Sequence, residues 1–244
     1  MRGVVLAGGL GTRLHPVTKI VNKHLLDVFD EPMIYYPTRT LAQAGITEIV
    51  IVTGKEIDQF KELLGDGREL GVDLVYAQQE GELGIAHALL QAEPHLDGGP
   101  VAVILGDNIF QEDLSSHVAA FAKQGGGARL LLKRVSPDDA RRFGVATVHG
   151  DRILRIEEKP REPASDLVVT GFYAYDSEVM DVIRSLRPSA RGEYEITDVN
   201  NTYAGADNLT FAVLQGWWTD AGTPASKLKA AILVSLAKGV TFHA

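Results

Sequence analysis

The hydrophobic pattern splits the chain into two halves of different grain. In the first, short apolar runs alternate with stretches whose apolar positions recur at three- and four-residue spacing. Gly3 to Ala7, Glu48 to Thr53, Asp73 to Ala77 and Val101 to Leu105 read as strands. Ile34 to Ala44, Ile57 to Leu64 and Ile85 to Ala92 read as helices. Strands alternating with helices predict βαβ units and a parallel sheet covered on both faces, hence an α/β fold. In the second half, Leu130 to Val135, Gly144 to Val148, Ile153 to Glu157 and Val168 to Tyr175 are β-like with few helical stretches between them, which predicts antiparallel additions to the sheet. Helices resume at about Glu178 to Ser185 and from Thr223 to Ala237, where Thr223 suits an N-cap and Pro224 the first helical position. Gly98-Gly99-Pro100 and Gly125-Gly126-Gly127 read as loops rather than linkers, and no repeat or Pro/Ser-rich tract divides the chain.

Composition adds limits. At 244 residues the chain allows one large domain or two small ones, and without a linker one domain over 1–244 is expected, with a first half to about 125 and a second from about 126. Twenty-four basic against 32 acidic side chains give a net charge of −8, which lacks the basic footprint of a nucleic-acid binder but leaves small anionic substrates open. With no cysteine there is no disulfide, thiolate metal site or thiol nucleophile. The longest N-terminal apolar run, Val4-Val5-Leu6-Ala7, is too short for a signal sequence or a membrane span, so a cytoplasmic protein is expected.

The candidate chemistry begins where the first strand ends, in Leu6-Ala7-Gly8-Gly9-Leu10-Gly11-Thr12-Arg13-Leu14. Ligands of open parallel sheets gather beyond the carboxyl ends of strands. Glycines there let backbone N–H groups approach a polyphosphate, and Arg13 adds a charged planar donor; a flexible strand-to-helix turn is the competing reading. Leu14 stands where a dinucleotide fingerprint needs its third glycine, and the P-loop's Gly-Lys-Ser/Thr ending is missing, which argues against both motifs. Lys23 lies in a polar run, Thr18 to His24, with no apolar periodicity to bury it. By itself it reads as a solvated charge. Asp107 follows the Val101 to Leu105 strand and Asp220 precedes the last helix. Separately they read as an Asx turn and a helix cap; together they are two carboxylates suited to magnesium, whose remaining ligands come from phosphates and water. In Glu157-Glu158-Lys159-Pro160, a charged strand end, Lys159 suits a phosphate and Glu158 sugar hydroxyls. The Trp217-Trp218 pair reads as core packing near the second carboxylate.

In this order the pieces resemble the sugar-phosphate nucleotidylyltransferases. The likeness runs nearly end to end: LAGGLGTRLHPVT (Leu6 to Thr18), KHLL (Lys23 to Leu26), PMIYYP (Pro32 to Pro37), GDNIF (Gly106 to Phe110), FGVA (Phe143 to Ala146), EEKP (Glu157 to Pro160), VTGFYAYD (Val169 to Asp176), PSARGEYEITDVN (Pro188 to Asn200) and WWTDAGT (Trp217 to Thr223). PMIYYP and SARGEYEITDVN point to the thymidylyltransferase branch. The resemblance implies a Rossmann-like nucleotidyltransferase fold and magnesium-dependent transfer from dTTP to glucose 1-phosphate, with no covalent protein intermediate. UTP or another hexose phosphate is the alternative substrate. A non-catalytic sensor on the same scaffold would be expected to have lost part of the charged set, which is present here.

By the same resemblance Leu6, Gly8, Gly9, Gly11, Thr12 and Arg13 wrap the triphosphate, Arg13 and Lys23 meet its phosphates, and Asp107 with Asp220 holds Mg2+. Gln79 and Gly84 meet the base. Gly144, Glu158, Lys159, Tyr173 and Arg191 hold glucose 1-phosphate, with Lys159 and Arg191 on its phosphate, so that Arg13, Lys23 and Lys159 are the expected catalytic groups. Departures from the family pattern are Asp27 and Ala221 in place of the usual proline and threonine, and Glu80 and Glu82 where prolines are common beside the base. With Ala244 as the last residue, the C-terminal helical extension of longer relatives is not expected, and a homo-oligomer is left open.

Overall fold

The computed structural model describes residues 1–241; the end of the expected domain, to Ala244, lies outside the described residues. Four parallel strands form the heart of the sheet: β1 (Arg2–Ala7) sits between what become β4 (Glu48–Thr53) and β6 (Val101–Leu105), and β5 (Asp73–Gln78) lies at the edge beyond β4. Two short strands between them, β2 (Asp27–Val28) and β3 (Glu31–Pro32), form a separate ribbon. Val4 and Leu6 pack into the core layer on one face and Val5 and Ala7 into that on the other. A strand buried on both sides has no polar positions to alternate, which is why its run is continuous.

Helices α1 (Tyr35–Gln43) and α2 (Ile57–Leu64) cover one face through Leu41, Phe60 and Leu64, and α3 (Ile85–Leu90) covers the other through Ala86 and Leu89. After β6 come β7 (Asn108–Phe110), α4 (Ser115–Gln124), β8 (Ala128–Arg134), α5 (Pro137–Ala140), and the hairpin β9 (Gly144–His149) and β10 (Arg152–Glu158). The nine-residue strand β11 (Leu167–Tyr175) joins the halves, running antiparallel to β6, β8 and β9. Then follow α6 (Val179–Ser185), α7 (Ile196–Gly205), β12 (Leu209–Val213), β13 (Trp218–Asp220) and α8 (Pro224–Ala237). Among the described residues nine strands form one sheet, in which β12 pairs parallel to β8; β7 and β13 pair with each other.

Eight of these elements lie outside the ranges expected from the sequence: the short β2, β3, β7, α5 and β13, and the longer α4, α7 and β12. Helix α7 carries Thr197, Asp198, Asn200, Asn201 and Thr202, all weak helix formers. Its hold is tertiary. Ile196, Val199 and Tyr203 face the core, and the Asn201 side chain accepts from the Ile156 N–H at 2.8 Å and donates to the Ile156 carbonyl at 2.9 Å, completing the edge of β10. Helix α8 begins as expected: the Thr223 side chain accepts from the Ser226 N–H at 3.1 Å in a capping box, and Pro224 follows. Among the described residues no helix is long and apolar enough to cross a membrane.

Candidate active site

Because β1, β4, β5 and β6 are parallel, their carboxyl ends share one edge, and the segments leaving them meet there. The glycine loop leaves β1, Gln79 follows β5 and Asp107 follows β6. Gly11 has φ +64°, and a Cβ on it would lie 2.9 Å from the Cβ of Lys23, so both the turn and the contact require glycine. No α-helix follows the loop. Three 3₁₀ turns do, at Thr12–Leu14, Val17–Lys19 and Lys23–Leu25, and the third returns Lys23 beneath Gly9. Positive potential here therefore comes from Arg13, Lys23 and loop N–H groups rather than a helix dipole. The Leu10 N–H is engaged by the Glu82 carboxylate at 3.1 Å.

The expectation of an unburied Thr18 to His24 run is corrected. Asn22 and His24 are buried, and the Lys23 side chain is only 12% exposed. Polar pairing, invisible to apolar periodicity, does the burying. The His24 N–H donates to Asn22 Oδ1 at 3.0 Å, its ring Nδ1 lies 2.8 Å from the same oxygen, and Lys23 Nζ donates to Asp107 Oδ2 at 2.5 Å. Burial, aided by the Lys23 charge, lowers His24 to about 3, so the ring is neutral at physiological pH. Burial alone would raise Asp107, but the Lys23 ammonium and the Asn108 amide outweigh it and hold the carboxyl well below its usual range. Asn108 is the knot of this corner: Nδ2 donates to Asp107 at 2.8 Å, while Oδ1 accepts from Trp218 Nε1 at 2.7 Å and the Gly171 N–H at 3.0 Å. Trp218 is buried as expected, and Trp217 packs half-buried against the small cluster under α8.

Asp220, at the end of β13, accepts from Arg142 Nη2 on both oxygens, at 3.0 and 2.8 Å. It is not the cap of α8, a place Thr223 takes. Burial and then the charge of Asp107 raise the Asp220 carboxyl, and Arg142 and Arg13 offset this in part. A Cβ on Gly222 would lie 3.0 Å from Arg13 Nη2, 3.2 Å from Asp107 Oδ2 and 3.4 Å from Asp220 Oδ2. Two carboxylates thus face one space that a side chain would fill. That donor set, hard oxygens from two carboxylates with no third acidic or imidazole ligand grouped among the described residues, fits magnesium completed by phosphates and water.

Two adjoining cavities share Arg13, Asp107, Ile85 and Leu105. The first, about 310 Å³, is lined by Leu6, Gly8, Gly9, Lys23, Gln79 and Gly84 besides the shared residues; Gly11 and Thr12 lie outside its lining. Gln79 is buried. The second, about 190 Å³, is lined by Gly144, Glu158, Lys159, Tyr173 and Asp220. Lys159 has φ +46°, unusual for a residue with a side chain and a sign of local constraint. Its Nζ lies 3.1 Å from Glu158, whose other oxygen accepts from Thr197 at 2.7 Å. Burial, with Glu158 and Asp107 nearby, pushes the Tyr173 hydroxyl far up, so it remains a neutral donor. Arg191 lies outside the second lining, held by Glu195 at 2.7 Å and 3.6 Å from Glu158.

Sequence reasoning missed Arg142, Asn108, Thr197 and Glu195, each of which orients a residue it had singled out. All four lie inside or beside motifs already quoted, Arg142 directly before FGVA, Asn108 in GDNIF, and Glu195 and Thr197 in PSARGEYEITDVN. That adjacency was the available signal.

The sequence profile of the nucleotidyl transferase family matches residues 2–235. The chain belongs to the nucleotidyl transferase family. Within it, a glucose-1-phosphate thymidylyltransferase of Actinoplanes sp. is 45% identical over 234 residues, 94% of this chain and 77% of the relative. The enzyme of the same name from Mycolicibacterium smegmatis is 44% identical over 96% of this chain and 82% of its own. Among solved structures, a Bacillus anthracis protein described as a glucose-1-phosphate thymidylyltransferase, in complex with sucrose, superposes with a TM-score of 0.91 at 47% identity, covering 100% of this chain and 98% of its own. A UDP-glucose pyrophosphorylase complexed with UDP-glucose shares the fold, with a TM-score of 0.86 at 23% identity over 97% of this chain and 98% of its own. The chain is accordingly a nucleotidyltransferase, an enzyme class of nucleotide-sugar biosynthesis.

Proposed function

We propose that the protein transfers a thymidylyl group from dTTP to glucose 1-phosphate, giving dTDP-glucose and pyrophosphate. The observation that carries this reading is the pair of adjoining cavities, glycine loop and Gln79 in one, Glu158 and Lys159 in the other, with Arg13 and Asp107 common to both. The names of relatives at 44–45% identity support the choice of substrates.

On this reading a phosphate oxygen of glucose 1-phosphate attacks the α-phosphorus of dTTP. The new O–P bond forms as the bond to the β-phosphate oxygen breaks, and pyrophosphate leaves with that electron pair. The nucleophile is already ionised, so no side chain needs to remove a proton. What remains is to bring anions together in line and to neutralise their charge. Arg13, Lys23 and the loop N–H groups serve the triphosphate; Lys159 and Arg191 serve the sugar phosphate, while Glu158 accepts from sugar hydroxyls and Gly144 keeps the approach open. Asp107 and Asp220 would hold magnesium, which supplies Lewis-acid charge neutralisation and a template for phosphate oxygens. Lys23 donates to Asp107 and Arg142 to Asp220, so each of the two carboxylates has a cationic partner. A Gln79 amide serves thymine and uracil alike, both carrying a ring N–H between two carbonyls.

Pyrophosphate release across dTTP, UTP, dCTP and GTP, each with glucose 1-phosphate and with other hexose 1-phosphates, tests the proposal. Highest turnover with dTTP and glucose 1-phosphate is expected. Equal rates with purine nucleotides would remove the role of Gln79, and binding without pyrophosphate release would replace the enzyme reading with a sensor.

A further inference from the structure

Gln79 can read a base only if its amide is held one way round, since turning it over exchanges a donor for an acceptor. Its Nε2 lies 3.2 Å from the Gly84 carbonyl oxygen and 3.1 Å from Nδ1 of His87. The carbonyl only accepts, so the NH2 group must face it, and the two amide protons are then divided between Gly84 and His87. With the NH2 group so placed, Nδ1 of His87 meets it with its lone pair, which puts the ring proton on Nε2. On the far side of the ring the Gln91 amide nitrogen donates to the His87 carbonyl at 3.2 Å; it lies 3.4 Å from Nε2, where two N–H donors make no bond, so the tautomer is set by the Gln79–Gly84 pairing and not by Gln91.

The other amide atom is the one offered to a ligand. Gln79 Oε1 accepts no hydrogen bond among the described residues and lies 2.9 Å from where a Cβ on Gly8 would stand, and both residues line the first cavity. The His87 ring is itself fixed. It sits one turn into α3 from Gly84 and lies stacked on Tyr194, ring centres 6.1 Å apart and planes inclined by 28°. Tyr194 is tied to the same segment by backbone bonds: its N–H donates to the Leu83 carbonyl at 2.8 Å and its carbonyl accepts from the Ala86 N–H at 3.2 Å.

We infer that His87 is a specificity-determining positioning residue, which with the Gly84 carbonyl locks the Gln79 amide so that Oε1 faces the cavity and selects bases that present a ring N–H. Thymine and uracil present that donor at the ring nitrogen between their carbonyls. Cytosine has a lone pair at the same nitrogen, and two acceptors would face each other. The inference rests on the proposed reading that Gln79 meets the base. With His87 gone, only the Gly84 bond opposes amide reversal. The loss of one bond from a pair is expected to cost roughly fivefold in selection.

The test measures kcat/KM for dTTP and for dCTP at fixed glucose 1-phosphate in the wild type and in Gln79→Leu, His87→Leu and His87→Asn. Asparagine can place a carbonyl oxygen near the position of Nδ1 and so return the acceptor. His87→Leu should lower the dTTP/dCTP ratio about fivefold, chiefly through the nucleotide KM, and His87→Asn should recover most of it. A His87→Leu ratio equal to wild type, or His87→Asn as impaired as His87→Leu, overturns the inference while leaving Gln79's role standing if Gln79→Leu does relax the ratio. If Gln79→Leu leaves the ratio unchanged, the reading beneath it fails and the inference falls with it.

Discussion

Replacing Gly222 by alanine adds one methyl group at the point where the two carboxylates and Arg13 converge. Its backbone is not in the left-handed region, so an L side chain is conformationally allowed. The new Cβ would meet Arg13 Nη2 at 3.0 Å, Asp107 Oδ2 at 3.2 Å and Asp220 Oδ2 at 3.4 Å. Contacts this tight are relieved by shifts of a few tenths of an ångström, at a cost of about 1 kcal/mol of overpacking. For a chain of this size that lowers Tm by about 2–4 °C. Catalysis should suffer more. On the proposed reading Asp107 and Asp220 hold magnesium, whose oxygens sit at about 2.0–2.1 Å with little tolerance for distortion, so carboxylates pushed apart would lose their joint hold on it. A misplacement of about 1 Å costs about 100-fold in turnover, so shifts of a few tenths of an ångström at both carboxylates are expected to cost about 10-fold, equivalent to about 1.4 kcal/mol. Pyrophosphate release at saturating substrates, with a thermal melt beside it, measures both quantities. Gly205→Ala is the control, because nothing lies within 4 Å of a Cβ there and the backbone is again ordinary; it should match wild type in turnover and melt at or slightly above it. Wild-type turnover and magnesium dependence in Gly222→Ala would refute the reasoning.

Other expectations follow from the same geometry. Asp107→Ala and Asp220→Ala should each abolish magnesium-dependent turnover, and substantial activity in either would remove the metal assignment. Gly84→Ala puts a Cβ 2.5 Å and 2.8 Å from the Tyr194 carbonyl oxygen and nitrogen at φ +98°, so it should cost about 2 kcal/mol or more in urea denaturation; unchanged stability would deny that these segments are tightly joined. Burial of His24 as a neutral ring sets a pH dependence. The unfolded chain takes up a proton below about 6.5 and the folded chain only near 3, so stability is full above that window and falls as pH drops through it, by up to about 1.4 kcal/mol per unit. Urea titrations at pH 7 and pH 5 should show a steeper loss in wild type than in His24→Gln, and equal slopes would contradict the buried neutral ring.

The parallel half of the fold was legible because strands such as Val4 to Ala7 are buried on both faces and leave uninterrupted apolar runs. Helix α7 was not, because its stability comes from Ile196, Val199 and Tyr203 against the core and from Asn201 on the edge of β10, not from its own helix propensity. At the site, strand-end rules found Asp107 and the glycine loop, and the turn before a proline-led helix pointed to Asp220. The same rules misread Lys23 as solvated, because an ion pair with a residue 84 positions away leaves no periodic trace. Arg142 was missed for the same reason, since its partner Asp220 is 78 positions away. Motif likeness added the sugar-phosphate residues, whose spacing alone carries little information; the structure brings Gly144, Glu158, Lys159 and Tyr173 to one cavity and sets Arg191 at its margin, held by Glu195.

The central claim is most directly tested by 31P NMR of the protein mixed with dTTP, glucose 1-phosphate and magnesium. The account predicts that the triphosphate and sugar-phosphate signals disappear together and are replaced by equal amounts of free pyrophosphate and a sugar-linked diphosphate, with no change when magnesium is withheld. Hydrolysis of dTTP without a sugar-linked product, or no reaction with both substrates and magnesium present, would contradict it.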